Sequence, residues 1–152
     1  MTDKALGVID GQRHPVAKYI VQRLRLLDVS LLRCCRVTGD NVDIVGCGWF
    51  SKSLWWDENP GKLAGEWKRH EIDSGFNIEF CFLVDLNNDG KKNEIIPQFG
   101  NTPAPLAWYE VSGGKVLKHV VGPKSEGHGI GVGDINKDGR NDILTPNGWY
   151  EA

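Results

Sequence analysis

The chain has no apolar run long enough to cross a bilayer, and its charge is nearly balanced. Its 152 residues carry 18 Lys and Arg against 20 Asp and Glu, a formal net charge of −2. A membrane helix needs about 20 consecutive apolar residues, so the sequence predicts no membrane span. Because no basic excess is present to meet phosphates, we expect no nucleic-acid partner. Residues 1–5 also lack the basic start and apolar centre of a secretion signal.

Cysteine spacing excludes the common zinc and redox motifs. No Cys-x-x-Cys pair occurs among Cys34, Cys35, Cys47 and Cys81. We interpret these residues as small buried hydrophobic side chains, with a disulfide as the alternative for a secreted protein. The sequence also has no nucleophile elbow and no phosphate-binding glycine loop after a strand. The familiar hydrolase and nucleotide-binding chemistries are therefore not indicated.

Two acidic loops carry the strongest signal in the chain. Residues 134–142 read Asp-Ile-Asn-Lys-Asp-Gly-Arg-Asn-Asp, and residues 85–94 read Asp-Leu-Asn-Asn-Asp-Gly-Lys-Lys-Asn-Glu. Oxygen-bearing side chains at alternate positions of a tight loop suit a hard cation such as Ca²⁺, and the glycine allows the turn. The predicted ligands are Asp134, Asn136, Asp138, Asp142 and the carbonyl of Arg140 in the second loop, and Asp85, Asn87, Asp89, Asn93 and the carbonyl of Lys91 in the first. Glu94 is the alternative to Asn93.

The loops begin like an EF-hand but do not end like one. An EF-hand has a bidentate Glu at position twelve, where these loops have Ile96 and Thr145. The flanking segments, such as residues 80–84 and 142–145, are short apolar runs typical of strands. The alternative to calcium is that Asp, Asn and Gly simply form turns.

The loops belong to a longer repeat. Asp85 and Asp134 are 49 positions apart, and the same offset joins His70 to His119 and Asn93 to Asp142. A degenerate copy without a predicted metal lies near residues 31–45. Aromatic pairs followed by an acid recur after the loops, in the segments that contain Trp56, Trp108 and Trp149. Four short strands per unit, with periodic glycine and aromatic signals, predict an all-β chain built as a β-propeller.

The predicted boundaries are a poorly fitting segment at 1–30, a degenerate blade at about 31–75, a blade at 76–122 and a partial blade at 123–152. Val16, Ile20, Leu24 and Leu27 have helical spacing within the first segment. About three blades are too few for a propeller of the usual four to eight. We therefore expect a fragment of a larger propeller, with closure by other chains as the alternative.

On these motifs the chain resembles the FG-GAP or VCBS propeller repeat, a family that includes the integrin alpha propeller and many secreted bacterial proteins. The resemblance covers residues from about 31 onward. It implies calcium in the loop between the first two strands of a blade, on the ligands named above. It also implies an extracellular or periplasmic protein that acts as a binding or scaffold module, with a protein or carbohydrate ligand. A secreted adhesion module, by analogy with integrin propellers, is a further alternative.

A narrower resemblance rests on the Trp-Tyr-Glu segments, the Trp-x-x-His strand and residues 127–134. This combination is similar to the propeller of aldos-2-ulose dehydratase-like proteins, which is joined to cupin domains. It implies a carbohydrate lyase as the alternative function, although this chain has no cupin part. His128, between two glycines, is the candidate catalytic residue, and an ordinary loop histidine is the alternative.

The six tryptophans also invite a carbohydrate-binding interpretation, because flat rings stack on sugars. Recurrence at equivalent places favours core packing for Trp49, Trp56, Trp108 and Trp149. Trp55 and Trp67 do not recur in this way, so they are the freer candidates for a sugar platform.

Overall fold

The computed structural model describes residues 31–35, 37, 41–61, 65–100 and 103–152. All regular elements within these residues are β-strands. Their bounds are β1 Leu31–Cys35, β2 Asp43–Gly48, β3 Ser53–Glu58, β4 Lys68–Ser74, β5 Ile78–Val84, β6 Glu94–Phe99, β7 Leu106–Ser112, β8 Lys115–Gly122, β9 Gly131–Gly133, β10 Asp142–Thr145 and β11 Gly148–Tyr150. The segment at 1–30, with its predicted helix, lies outside the described residues.

The strands form three antiparallel sheets in which neighbours in sequence are neighbours in space. Sheet I has the order β1-β2-β3-β4, sheet II the order β5-β6-β7-β8, and sheet III the order β9-β10-β11. Each sheet is therefore an antiparallel meander, in which a loop or turn joins each strand to its neighbour. The hairpin between β7 and β8, for example, turns through Gly113 and Gly114, which both have positive φ.

The inner strands of sheet II, β6 and β7, are covered on both faces, whereas its outer strand β8 is largely exposed. On one face, Ile95 and Tyr109 pack with Val45 and Trp56 of sheet I. On the other face, Ile96 packs with residues of sheet III in a second cluster. All six residues of β6 are buried, as expected of a strand between two packed layers.

The all-β prediction is confirmed for the described residues. The three sheets do not form a closed ring there, so the propeller stays a prediction. No helix of the described part is long and apolar enough to cross a membrane. Cys47 and Cys81 are fully buried in the core between sheets I and II, as predicted for small apolar side chains.

Candidate metal centre

The two acidic loops occupy the same place in neighbouring sheets. One joins β5 to β6 in sheet II, and the other joins β9 to β10 in sheet III. The fourth position of each loop is a non-glycine residue with positive φ, Asn88 at 60° and Lys137 at 66°. The glycines at the sixth position, Gly90 and Gly139, have φ of 83° and 90°. The two loops therefore turn in the same way at their fourth and sixth positions.

Their hydrogen bonds also correspond one to one. In the second loop the backbone N–H of Asp138 donates to Oδ1 of Asp134 and to Oδ1 of Asn136, both at 3.1 Å. The N–H of Gly139 donates to Oδ2 of Asp134 at 3.0 Å. The N–H of Arg140 donates to Oδ1 of Asp138 at 2.8 Å. These bonds turn the oxygens of the first, third and fifth residues toward the inside of the loop.

The first loop repeats this pattern. The N–H of Asp89 donates to Oδ1 of Asp85 at 3.1 Å and to Oδ1 of Asn87 at 3.0 Å. The N–H groups of Gly90 and Lys91 donate to Oδ2 of Asp85 and Oδ1 of Asp89, at 3.0 and 2.8 Å. The side-chain oxygens at positions one, three and five are therefore brought together in both loops.

The side chain of the seventh loop residue also contacts a loop carboxylate. We expect only its carbonyl to matter, but the Arg140 guanidinium binds Oδ2 of Asp138, with Nη2 at 2.8 Å and Nε at 3.2 Å. Hydrogen bonds from the Arg140 backbone and guanidinium lower the pKa of Asp138. Lys91 reaches Oδ2 of Asp89 less closely, at 3.3 Å. An arginine and a bound cation would compete for the same carboxylate oxygen.

At the ninth position of the loops, the strand pairing differs from the pairing that the sequence repeat predicts. The 49-residue offset pairs Asn93 with Asp142, but the strands pair Val84 with Glu94 and Gly133 with Asp142. Glu94 is therefore the structural counterpart of Asp142, because the first loop is one residue longer. The side-chain amide of Asn93 donates to the Lys91 carbonyl at 3.1 Å and to Oε1 of Glu94 at 3.2 Å when its nitrogen faces these two oxygens.

Asp142 and Glu94 each hold the start of their loop. Oδ2 of Asp142 accepts from the N–H of Ile135 at 2.9 Å, and Oε2 of Glu94 accepts from the N–H of Leu86 at 2.9 Å. Both carboxylates are fully buried. Burial raises the pKa of Glu94, and the nearby carboxylates add to this rise against the opposing backbone bonds.

Sheet I has the same buried acid without an acidic loop. Oδ2 of Asp43 accepts from the N–H of Val37 at 2.8 Å, and Oδ1 accepts from the N–H of Asn59 at 2.9 Å. Oδ1 of Asp142 likewise accepts from the N–H of Ala152 at 3.0 Å. In each of the three sheets, the acid at the start of the second strand therefore accepts hydrogen bonds from the backbone N–H groups of neighbouring loops. Sequence reasoning missed this role. The repeated acid-Ile dipeptide at 43, 94 and 142 was the available signal.

The two loops touch each other. The side-chain amide of Asn141 donates to the carbonyl of Asp85 at 2.8 Å, and its backbone N–H donates to Oδ1 of Asn88 at 3.3 Å. A groove of about 270 Å³ opens beside this contact between sheets II and III. The rings of Trp108 and Tyr150 line it together with Arg140. The loops therefore border a concave surface with both aromatic and charged walls.

His128 lies in a second polar cluster, at the opposite strand ends from the acidic loops. Its Nδ1 is 2.6 Å from Oε2 of Glu79, and Nε2 of the buried Gln98 donates to the same Oε2 at 2.7 Å. Oε1 of Gln98 accepts from the N–H groups of Gly129 and Ile130, which fixes the loop that carries the histidine. When Nδ1 donates to the carboxylate, Nε2 is the nitrogen that can accept a proton. Sequence reasoning missed Glu79 and Gln98.

The tryptophans differ in their surroundings. Trp56 is buried, and Trp149 is 41% exposed. Trp55 is only 2% exposed, with the Arg69 guanidinium 4.2 Å from its ring centre. It therefore offers no open face to a sugar in this structure.

Comparison with models of known protein families, with curated proteins and with solved structures finds no match to this chain.

Proposed function

We propose that this protein is a calcium-binding β-propeller module that serves as a binding or scaffold domain. The observation that carries the proposal is the pair of acidic loops with matching backbone angles and matching hydrogen bonds. In both loops the oxygens of the first, third and fifth residues accept from the same N–H groups, so the arrangement of these three side chains is repeated. The groove beside the loops supplies a surface for a ligand.

The oxygens of each loop fit calcium better than a transition metal. The described residues contain no group of three or more His, Cys, Asp or Glu side chains arranged to hold a metal. The proposed site instead uses two carboxylates, an Asn oxygen and a backbone carbonyl, which are ligands typical of Ca²⁺. Each carboxylate oxygen that accepts one N–H keeps a second lone pair, so the loop bonds leave room for a cation.

The propeller part of the proposal is supported by how the sheets stack. Each sheet is an antiparallel meander, and sheet II is packed face to face with sheet I and with sheet III. Radially stacked meanders of four strands are the blades of a propeller. In this arrangement each acidic loop joins the first two strands of a blade, where it also touches the loop of the next blade through Asn141.

Calcium would act on stability through linkage. A ligand that binds only the folded protein stabilises it by about 2.7 kcal/mol at one hundred times its dissociation constant. For a domain of this size, that corresponds to a rise in melting temperature of roughly 5–10 °C for one site. The test is thermal denaturation in EGTA and in millimolar CaCl₂, with isothermal titration calorimetry for the number of sites.

The variants Asp138→Ala and Asp89→Ala separate the two loops, and we expect each to remove one site. Glu66→Ala is the matched control, since it removes one exposed carboxylate far from both loops in sequence. Wild-type protein that shows neither a shift in melting temperature nor heat of binding at millimolar calcium would contradict the proposal.

His128 favours a second candidate function, a part of a sugar-dehydrating enzyme. Its exposed imidazole is oriented by Glu79, as expected of a group that moves a proton. Incubation of the protein with keto sugars, followed by NMR for water elimination, tests this candidate. Turnover that is lost in His128→Ala and kept in His119→Ala would support it, and turnover that persists in His128→Ala would contradict it.

A further inference from the structure

One residue, Asn141 at the eighth position of the second acidic loop, makes two hydrogen bonds to the first loop. Its side-chain amide donates to the backbone carbonyl of Asp85 at 2.8 Å, and its backbone N–H donates to Oδ1 of Asn88 at 3.3 Å. The two acceptors lie 56 and 53 positions earlier in the chain. Asn141 therefore holds the first and fourth residues of the neighbouring loop.

The N–H that reaches the first loop belongs to a peptide group of the second loop's predicted ligand set. The carbonyl of Arg140 and the N–H of Asn141 are the two ends of one peptide group, and this carbonyl is the predicted ligand at position seven. A cation on the carbonyl oxygen would polarise the peptide group and make its N–H a stronger donor, because linked hydrogen-bonding groups polarise one another. Occupation of the second loop would therefore strengthen the bond to Asn88.

The first loop receives these bonds where its ligand set begins. Asp85 supplies the first predicted ligand, and the N–H of Leu86, in the next peptide group, donates to Oε2 of the buried Glu94 at 2.9 Å. The peptide group between Asp85 and Leu86 is thus held at one end by Asn141 and at the other by Glu94. Asn88 has φ of 60°, which is less favourable for residues other than glycine. A bond to its side chain helps to hold this conformation.

The eighth position differs between the loops in a way that fits this contact. The first loop has Lys92 there, and the sheet beyond it, sheet I, carries the degenerate copy for which we predict no metal. Asn141 instead stands in the loop whose neighbour has a full set of predicted ligands. The amide therefore occurs where two predicted calcium loops adjoin.

We propose that Asn141 couples the two loops, so that calcium in either loop raises the affinity of the other. Such coupling is reciprocal, because binding at one site changes affinity at the second by the same factor as the reverse. Coupling between sites typically changes affinity by about 5- to 150-fold. We expect about fivefold here, since the contact consists of two hydrogen bonds between uncharged groups. The inference rests on the calcium-binding part of the proposed function.

Isothermal titration calorimetry of the full chain with CaCl₂ tests the coupling. Asp138→Ala and Asp89→Ala each leave one loop intact, so their titrations give the association constant of each loop alone. For independent loops, the overall association constant of wild-type protein would equal the product of these two constants. We expect it to exceed the product by about fivefold. Repulsion between two bound cations acts in the opposite direction, and about 0.15 M salt in the titrations screens it.

Two variants remove the contact from opposite sides. Asn141→Ala removes the side-chain donor, and Asn88→Gly removes the acceptor Oδ1 while glycine keeps the positive φ. We expect two occupied sites in each variant, with the excess over the product reduced toward one when the single-loop constants are measured in the same background. Asn147→Ala removes an amide at the opposite strand ends, and Lys137→Gly changes the fourth position of the second loop, at φ 66°. These two matched controls should keep the wild-type excess.

The possible results distinguish the coupling from calcium binding itself. Two sites whose overall constant equals the product of the single-loop constants would overturn the coupling and leave calcium binding in place. An excess that persists in both Asn141→Ala and Asn88→Gly would also overturn it, because the contact would then not carry the coupling. Wild-type protein that shows no calcium binding by calorimetry or by melting temperature would contradict the proposed function, and the coupling with it.

Discussion

A partly buried hydrogen bond joins sheets I and II, and deleting one hydroxyl group removes it. The hydroxyl of Tyr109 in β7 donates to Oδ2 of Asp73 in β4, and the Lys118 ammonium lies 2.7 Å from the same oxygen. Tyr109 is only 1% exposed. We predict that Tyr109→Phe, which deletes the hydroxyl and keeps the ring, loosens this contact between the sheets.

The expected loss follows from the contacts that remain. A hydrogen bond to a charged group contributes about 1.5–3 kcal/mol. Asp73 would keep Lys118 and the N–H of Ser74, at 2.8 Å from Oδ1, so the lower value applies. We expect a loss of about 1.5 kcal/mol in the free energy of unfolding, or roughly 3–6 °C in melting temperature. Urea and thermal denaturation followed by circular dichroism would measure both.

The same contact predicts that the free energy of unfolding depends on pH in both the acid and the alkaline range. Burial by itself would raise the pKa of Asp73, but hydrogen bonds from Lys118, Tyr109 and Ser74 outweigh it and lower the pKa. This stabilisation is present above the unfolded value, about 3.9, and is lost as pH falls through the folded pKa. Burial and then Asp73 raise the pKa of Tyr109. That contribution is present below about pH 10 and is lost as pH rises through the folded pKa.

The tyrosine variant should therefore lose less stability than wild type at acid and at alkaline pH. Tyr150→Phe is the matched control, since its hydroxyl is 3.5 Å from Glu126 and is expected to matter little. If Tyr109→Phe had wild-type stability and an unchanged pH profile, the hydrogen bond would not link the sheets as described.

Two further predictions concern the buried acid of sheet I and the arginine of the second acidic loop. Asp43→Asn keeps only one acceptor oxygen for the N–H groups of Val37 and Asn59. We therefore expect the free energy of unfolding, measured by urea denaturation, to fall by about 1–3 kcal/mol. An unchanged midpoint would show that these hydrogen bonds do not stabilise the sheet. Arg140→Gln keeps the backbone carbonyl and removes the guanidinium from Oδ2 of Asp138, which then accepts only from Nδ2 of Asn136 at 3.2 Å. Calcium affinity measured by calorimetry should therefore rise severalfold, and an unchanged affinity would show that the guanidinium does not compete.

The acidic loops and the strands around them could be predicted from sequence because their signals are local. Turn residues, glycine at the sixth position and short apolar runs act within ten residues of one another. The ends of the loops could not be predicted in this way. Asn93 and Asp142 match in sequence, but the strand ladder fixes the register, and it pairs Glu94 with the place of Asp142.

The sequence by itself determined the all-β class, the two acidic loops with their order of residues, and the repeat of tryptophan, acid and histidine. These follow from the period of side chains along strands and from turn chemistry, which need no distant contact. Only the tertiary structure decided which faces are covered. It buried Trp55, left Trp149 exposed, joined Tyr109 to Asp73 and brought Glu79 and Gln98 to His128. Such pairs lie far apart along the chain, and they meet only because one sheet packs on the next.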